Sequence, residues 1–456
     1  MKLPGSGVEP LVSQILEWVA DRAEEVETLA GLPDVIRMRL SSALTSRRRI
    51  NADTVHLLTS GAAAEVEIGN CSELDEEQLS TALELCDLER IEALRLSFCG
   101  RGLTRQTIER LLSRGDTTTT TTGASAHTAK AHGTTTYCTL PLLREALLRG
   151  AYRLSDEGLH LLLNATPNLE SLSLMACTRM SPSGIVNIAS KVQMLKSLDL
   201  FQCQQLNCAN IVATVAELPS LERLCVADLP QMTDEAIGDM VSNIGARLLD
   251  LNIGYCSKLT RISIAAIGAC CPNLETLKME RLPLLNKAAG GGVAAENGSA
   301  KKSRKRKNDT SAENPYNNNG DDKDDQNNVE SNVLQPLVVG CTRLRHLYLE
   351  ELDSSDGNLA LLLSNGSTYS LLSLRRMPGA ANETSLAIAN RLTGSLHELD
   401  VSFSRNINSS ALGLIVDSCK KLSTLSVWGC TQLTRTFYDG HSNDDLHVVG
   451  AHDVAL

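Results

Sequence analysis

One short pattern recurs along the 456-residue chain and restricts its fold more than any other feature. It reads aliphatic-x-x-Leu-x-Leu-x-x-Cys. The best copies are "IEALRLSFC" (Ile91 to Cys99), "LESLSLMAC" (Leu169 to Cys177), "LKSLDLFQC" (Leu195 to Cys203), "LLDLNIGYC" (Leu248 to Cys256) and "LSTLSVWGC" (Leu422 to Cys430). Looser copies include "AAEVEIGNC", "LREALLRGA", "LERLCVADL", "LETLKMERL", "LRHLYLEEL", "YSLLSLRRM" and "LHELDVSFS". The fourth template position falls at Val66, Leu94, Ala146, Leu172, Leu198, Leu224, Leu251, Leu277, Leu347, Leu372, Leu399 and Leu425, about 26 residues apart. Two gaps are wider, Leu94 to Ala146 and Leu277 to Leu347, and each reads as one repeat carrying an insertion.

Apolar residues at positions 4 and 6 alternate with polar ones, the mark of a short strand with one buried face. A turn and a helix start follow, as in "LSDEGLHLLL" (Leu154 to Leu163) and "MTDEAIGDMV" (Met232 to Val241). Ser155 and Thr233 are the expected caps, with acids in the first helical turn. A single unit of this kind cannot bury its own apolar face, so the units must stack. The pattern resembles the cysteine-containing leucine-rich repeat. The expected fold class is therefore α/β: a leucine-rich-repeat solenoid, a right-handed horseshoe with parallel strands concave and helices convex. About twelve repeats are expected over 61–437, after an N-terminal helical segment at 1–60 and before a C-terminal tail at 438–456.

The ninth position holds Cys71, Cys99, Cys177, Cys203, Cys256 and Cys430, but also Ala151, Leu229, Leu282, Leu352, Met377 and Ser404. A metal site or disulfide ladder does not accept leucine in alternate rungs. A small buried plug with a weak donor does. Cys271, Cys341 and Cys419, just before a template start, read as helix-end packing. Fourteen cysteines with no export signal in "MKLPGSGVEP" fit a reducing compartment.

Two insertions are low in complexity and read as disordered: 115–136, rich in Thr, and 287–332, rich in Gly, Asn and Asp. The second holds Lys301, Lys302, Arg304, Lys305, Arg306 and Lys307, readable as a nuclear-import signal or as a solvated charge run.

The first 60 residues do not follow the repeat. Leu11, Ile15, Val19 and Val26 sit at helical spacing, and "LPDVIRMRLSSAL" reads as a second helix begun at Pro33. The two helices serve as a cap for the first repeat or as a docking element. Cysteine-rich repeats behind a short helical box resemble the substrate receptors of cullin-type ubiquitin ligases, the F-box class among them. "VETLAGLPDVI", "SRRRINADTVHLL" and "VEIGNCSEL" are closer to the Rad-seven type, the leucine-rich-repeat proteins of global-genome nucleotide excision repair. That resemblance implies contact with an elongin- or Skp-like adaptor through Leu11, Ile15 and Val19, with Ile15 where the box usually has Cys. Leu32, Pro33, Ile36 and Leu40 resemble its cullin-selecting part. It also implies a cullin, a helicase-like ATPase as a further partner, and a nuclear location, with the cytoplasm open as a second one. The alternative is a scaffold for a chromatin or signalling protein with no ligase role.

No P-loop, HExxH or paired CxxC occurs, so no enzyme, cofactor or metal is expected. His441, His447 and His452 lie in a polar stretch. A net charge of −11 argues against strong direct nucleic-acid binding, and no apolar run is long enough for a membrane span. Aromatics make up only 3% of the residues, so the core must be aliphatic. Template positions 5, 7 and 8 point to the concave side and carry Phe98, Met175, Phe201, Tyr255, Tyr348, Phe403 and Trp428. These are the expected anchors for a protein target. For the residues at position 8 the other reading is local packing into the turn. Lys278, Glu280, Arg281, Glu350, Glu351, Arg375 and Arg376 add a charged section.

Overall fold

Each template copy forms one strand of a single sheet. The computed structural model describes residues 8–29, 31–113, 137–285, 332–364, 368–434, 437, 442–443 and 445–450. The strands are β1 (Glu65–Ile68), β2 (Ala93–Ser97), β3 (Glu145–Arg149), β4 (Ser171–Ser173), β5 (Ser197–Asp199), β6 (Arg223–Cys225) and β7 (Asp250–Asn252). They continue as β8 (Thr276–Glu280), β9 (His346–Glu350), β10 (Leu371–Arg375), β11 (Glu398–Asp400), β12 (Thr424–Ser426) and β13 (His447–Val449). All thirteen lie in sequence order in one sheet, each paired in parallel with the next. The register matches template position to template position, as in Leu172 beside Leu198 and Leu251 beside Leu277. The stretch 438–456, expected as a tail, thus contributes a strand, and the sheet has one strand more than the twelve repeats read from the pattern.

The helices are α1 (Val8–Asp21), α2 (Asp34–Ser46), α3 (His56–Thr59), α4 (Glu76–Leu83), α5 (Arg105–Leu112), α6 (Asp156–Ala165), α7 (Pro182–Val186) and α8 (Ile188–Lys191). Then come α9 (Cys208–Ala216), α10 (Asp234–Ile244), α11 (Arg261–Cys270), α12 (Gln335–Gly340), α13 (Asp356–Ser364), α14 (Asn382–Arg391) and α15 (Ser409–Ser418). Neighbouring strands sit about 4.8 Å apart, whereas packed helices need about 8–10 Å. A stack of such units curves, and its strands line the inner side. Ser155 and Thr233 cap α6 and α10 as expected, accepting from the Gly158 and Ala236 N–H groups. Between strands and helices runs one aliphatic core: Leu172, Leu174, Leu198 and Leu200 are all buried. Two rings depart from the aliphatic rule, since Tyr369 and Phe437 are buried as well.

The turn after each strand holds neighbouring units together. In eleven of the twelve repeats the residue at position 8 has φ between +50° and +73°, and only Asn70 is missing from that set. Nine of these eleven are not glycine, among them Phe98, Tyr255, Arg281 and Phe403. A left-handed residue costs roughly 1–2 kcal/mol. The turned amide is then bonded to the next repeat: Ala176 N–H donates to Phe201 O (2.7 Å), Tyr255 N–H to Glu280 O (2.6 Å) and Phe403 N–H to Trp428 O (2.7 Å). The position-9 thiol points the other way. Cys203 Sγ donates to Leu174 O (3.0 Å), Cys256 Sγ to Val226 O (3.2 Å) and Cys430 Sγ to Val401 O (3.2 Å). In these three, and in Cys177, the acceptor is position 6 of the preceding repeat, whereas Cys71 and Cys99 face the carbonyl at position 6 of their own repeat. Ser404 Oγ makes the same bond to Leu374 O, so a small donor at this site is used where one is present, while Leu229, Leu282, Leu352 and Met377 fill it with apolar bulk alone.

All fourteen cysteines are free, and most are buried. Burial pushes the Cys203 and Cys271 thiols up to about 12, and those of Cys256, Cys341 and Cys419 up to about 11. They are neutral plugs at physiological pH. Cys341 and Cys419 close helix ends, as expected, with Sγ 3.9 Å from Ile267 O and Ile388 O.

A second bond between units runs along the helix starts. The Asp356 carboxylate, at the head of α13, accepts from the Ala381, Glu383 and Thr384 N–H groups at the head of α14 (2.8–2.9 Å). The residue at the N-cap position of α14, Ala381, supplies no side-chain cap of its own. Asp234 does the same for α11 through Thr260 and Ser263. Burial pushes the Asp356 carboxyl up, but the Thr384 hydroxyl and the three amides outweigh it and hold the group below its ordinary value.

Unfolded thiols titrate near pH 8.5, whereas the native ones keep their protons to about pH 11–12. The folded state is therefore fully favoured below about pH 8.5 and loses that advantage as pH rises toward 12. Melting temperature should fall steadily between pH 9 and pH 11, and native alkylation at pH 8 should leave Cys203 and Cys256 unlabelled. Replacing Asp356 with Ala should cost about 1–2 kcal/mol, the size of a lost helix cap, and hydrogen exchange should quicken in α14 before it does in α10. In the wild type the same tie is complete above about pH 4 and is lost as pH drops through the lowered native value.

Candidate interaction surfaces

The N-terminal helices have two faces. Inward, α2 covers the free edge of β1: Asp34 Oδ2 accepts from the Ala64 and Glu65 amides (3.2 and 3.4 Å), and Ser41 Oγ accepts from the Gly69 amide (3.1 Å). A Cβ at Gly69 would collide with Thr45 of α2, which is why this position carries no side chain. Leu40 and Leu44 join the core. Arg37 is buried and donates to the carbonyls of Leu29 (3.1 Å) and Leu32 (3.3 Å), fixing the link from α1 to α2. Arg39 reaches Ser13 (2.9 Å) and Arg47 reaches Asp21 (2.9 Å), tying α1 to α2. Edge-covering is needed for any repeat array.

Outward, Leu11 (55% exposed), Ile15 (50%) and Trp18 (56%) stand open on α1, and Leu32 and Val35 stand open at the start of α2. Pro33 is exposed as well. Val19, expected in line with Leu11 and Ile15, is instead half-buried against the core. The reason is the helical period. An eight-residue step overshoots two turns by about 80°, whereas a seven-residue step falls only about 20° short. Trp18 therefore completes the outer stripe, with Arg22 stacked 4.7 Å from its ring. Ile36 is partly buried and Leu40 fully so, and neither shares the open face of Leu32. The side chains of residues 8–10 lie outside the described set.

On the strand side none of Met175, Phe201, Tyr255, Tyr348, Phe403 or Trp428 enters the core. They form a run linked by charge. Phe201 meets Tyr255 edge to face, with centroids 6.5 Å apart. Arg281 lies 5.7 Å from the Tyr255 ring and is paired with Glu351 (2.6 Å). Glu351 and Glu350 both hold Arg376 (3.3 and 3.0 Å), and Arg376 lies 5.1 Å from the Phe403 ring. Arg375 approaches Phe403 too, and Lys278 lies over Tyr348 at 5.0 Å. The left-handed turn is what lifts Tyr255, Arg281, Glu351, Arg376 and Phe403 to this rim. Template reading located the residues but not the turn, because nine different non-glycine positions carry no turn signal.

Two shallow hollows open along this run. One, of about 330 Å³, is lined by Met175, Asp199, Phe201, Arg223, Asp250 and Lys278. The other, of about 320 Å³, is lined by Tyr348, Glu350, Arg375, Glu398 and Asp400. Burial raises the Asp250 carboxyl, and burial followed by repulsion from Glu350 raises that of Glu280. Toward the N-terminal end the face is self-neutralised. Arg95 makes a two-pronged bond to Glu145 (2.9 Å each) and also pairs with Glu65 (2.6 Å), and the Glu145 bond chiefly raises its pKa. A hollow of about 650 Å³ between the helical cap and the first repeat, lined by Thr45, Arg48, Asn51, Asn70 and Ser72, has no aromatic wall and lies apart from the run.

Among the described residues, no group of three or more His, Cys, Asp or Glu is arranged to hold a metal ion, and no helix is long and apolar enough to cross a membrane. His447 lies exposed in β13, while His441, His452, the insertions and the basic run Lys301 to Lys307 fall outside the described residues.

No family model matches the sequence, and no curated protein does. Among solved structures, the yeast complex of Rad7 with Elc1 aligns over 97% of this chain and 94% of that one, at 17% identity and a TM-score of 0.64. The leucine-rich repeat-containing protein LegL7 from Legionella pneumophila aligns over 64% of this chain and 85% of its own, at 13% identity and a TM-score of 0.37. With a thirteen-stranded parallel sheet, helices in every connection from β1 to β12 and a similarity to Rad7 that runs almost end to end, the chain has the leucine-rich-repeat solenoid fold, built in the manner of Rad7.

Proposed function

We propose that the chain is a non-catalytic, nuclear recognition subunit of a cullin-type ubiquitin ligase, acting in nucleotide excision repair. Its concave face holds a protein target, and its N-terminal helices dock an elongin- or Skp-like adaptor. The observation that carries this reading is the divided cap. Asp34, Ser41, Leu40 and Leu44 suffice to close the edge of β1, yet Leu11, Ile15 and Trp18 are left open on the opposite side. A plain cap gains nothing from three large apolar side chains in water. An amphipathic helix offering i, i+4 and i+7 anchors is a common way to fill an apolar groove. Support also comes from the fold neighbour Rad7, which is seen in complex with a second protein, Elc1.

In this reading the chain's residues carry out no chemistry. The target is held near a charged conjugating enzyme, and the gain is in effective concentration. The aromatic and arginine run from Phe201 to Phe403 provides the anchors, and the basic segment from Lys301 to Lys307 provides the nuclear address.

The test uses the purified full chain with a recombinant elongin C- or Skp-type adaptor and the matching cullin. The wild type should recover adaptor and cullin. A Leu11→Asp, Ile15→Asp, Trp18→Asp variant should lose them by at least about 100-fold, since each anchor contributes on the order of 1–2 kcal/mol. All three residues are exposed, so the melting temperature should hold. Undiminished recovery by the variant, or no recovery by the wild type with any adaptor tested, would leave the scaffold reading in place.

A further inference from the structure

Repeats two to four carry a basic rim that lies outside the run from Phe201 to Phe403. Arg101, Arg153 and Arg179 occupy the same template position, two residues beyond the cysteine plug, in three consecutive repeats. All three are exposed. Their backbones are stacked in order: Arg153 Nη1 donates to Arg101 O (3.3 Å), and Arg101 Nη1 donates to Ser72 O (3.5 Å). Arg149, exposed at the end of β3, stands beside them, its carbonyl accepting from the Cys99 amide (3.4 Å). None of these four takes part in an ion pair among the described residues, whereas Arg47, Arg95, Arg105, Arg110 and Arg144 all do.

Two rings accompany the guanidinium groups. Phe98 is 67% exposed, the highest value for an aromatic side chain among the described residues, and it holds a left-handed φ of 54°. Tyr152 is 45% exposed and rests against the Gly100 backbone, where a Cβ would strike its ring. A phenylalanine both strained and solvated is unfavourable twice over, and such residues cluster at sites of contact. Two nearby acids are engaged elsewhere: Asp156 accepts from Ser181 (3.0 Å), and Glu109 holds Arg105 (2.7 Å).

We propose that this rim docks a short acidic segment of a partner protein, with carboxylates on alternate residues and an apolar side chain for Phe98 and Tyr152. The length of the patch selects a peptide. Adjacent repeats are spaced between the strand and helix separations, so three arginines cover about 10–20 Å. Carboxylates at i, i+2 and i+4 of an extended chain span about 13 Å. The patch ends at Glu73 in the first repeat and at the neutral Gln205 and Gln231 in the fifth and sixth. A nucleic-acid strand gains affinity by neutralising many phosphates, and past this short patch it would meet a chain of net charge −11. The rim lies apart from the adaptor face, so it stands or falls independently of the ligase reading.

The test is fluorescence anisotropy of the full chain with a short labelled peptide of alternating Glu, Asp and Phe. An Asn and Gln analogue and a thymidine oligonucleotide of equal charge serve as comparisons. The acidic peptide should bind in a salt-sensitive manner, and the uncharged analogue should not. Arg101→Glu, Arg153→Glu, Arg179→Glu should weaken binding at least about tenfold. Phe98→Gly should weaken it about two- to tenfold while leaving the melting temperature unchanged or raised, because glycine relieves the left-handed backbone. A control Phe201→Ala should bind as the wild type does. Equal binding by the charge-reversal variant overturns the proposal, as does tighter binding of the oligonucleotide with the same residue dependence.

Discussion

The structure depends on a turn that no repeat can complete alone. After eleven of the first twelve strands the chain leaves through a left-handed residue, and nine of those eleven amides donate to a carbonyl of the next repeat. The thiols of Cys177, Cys203, Cys256 and Cys430, one residue later, donate to the repeat before. A net hydrogen bond is worth about 1 kcal/mol, similar to the backbone cost of the turn. The turn is therefore close to neutral when a neighbour is present and unfavourable when one is absent. Such a balance makes stacking cooperative between neighbours, with stability passing from unit to unit rather than residing in any one. Asp356 and Asp234 repeat the arrangement on the helix side, each capping the helix that follows rather than its own.

The same turn sets where function can be placed. A left-handed residue carries its side chain away from the aliphatic layer and out to the strand-side rim. Tyr255, Arg281, Glu351, Arg376 and Phe403 all occupy that position. Their side chains consequently face neighbours in register, and the pairing of Arg281 with Glu351 and of Arg376 with Phe403 follows from it. The backbone device that joins the repeats is thus also what assembles a continuous run of rings and charges from residues far apart in the chain.

Much of this was legible before any coordinates, and the reason is period. A 26-residue rhythm of leucines admits only a stack, and alternation at positions 4 and 6 admits only a strand. Cys203 could be read as a plug because leucine and serine share its position. What escaped is informative. Val19 and Trp18 exchange faces because a four-residue step drifts on a 3.6-residue helix. The thirteenth strand, around Val448, lacks the template leucines. Tyr369 fills a core position where the pattern calls for an aliphatic. The left-handed turn gave no sign except at Gly150 and Gly429, since phenylalanine, arginine and glutamate are not residues that announce it. The strain there is repaid by the next repeat, a long-range term that local sequence does not contain.

Rings are scarce in this chain, and burying one yields roughly 1.5–3 kcal/mol. A protein optimised only for its own stability would place them inside, as it does Tyr369. Instead Phe201, Tyr255, Tyr348, Phe403 and Trp428 stay on the strand side, and most are held by a neighbouring cation or ring. Those contacts restrict the rotamers before any partner arrives. Ordering a side chain on association costs about 0.5–1.5 kcal/mol, so prior ordering transfers that cost from binding to folding. A large additive array can absorb it because each repeat bears only its own share. The surface is thus rigid at the positions where a partner would otherwise have to make it so.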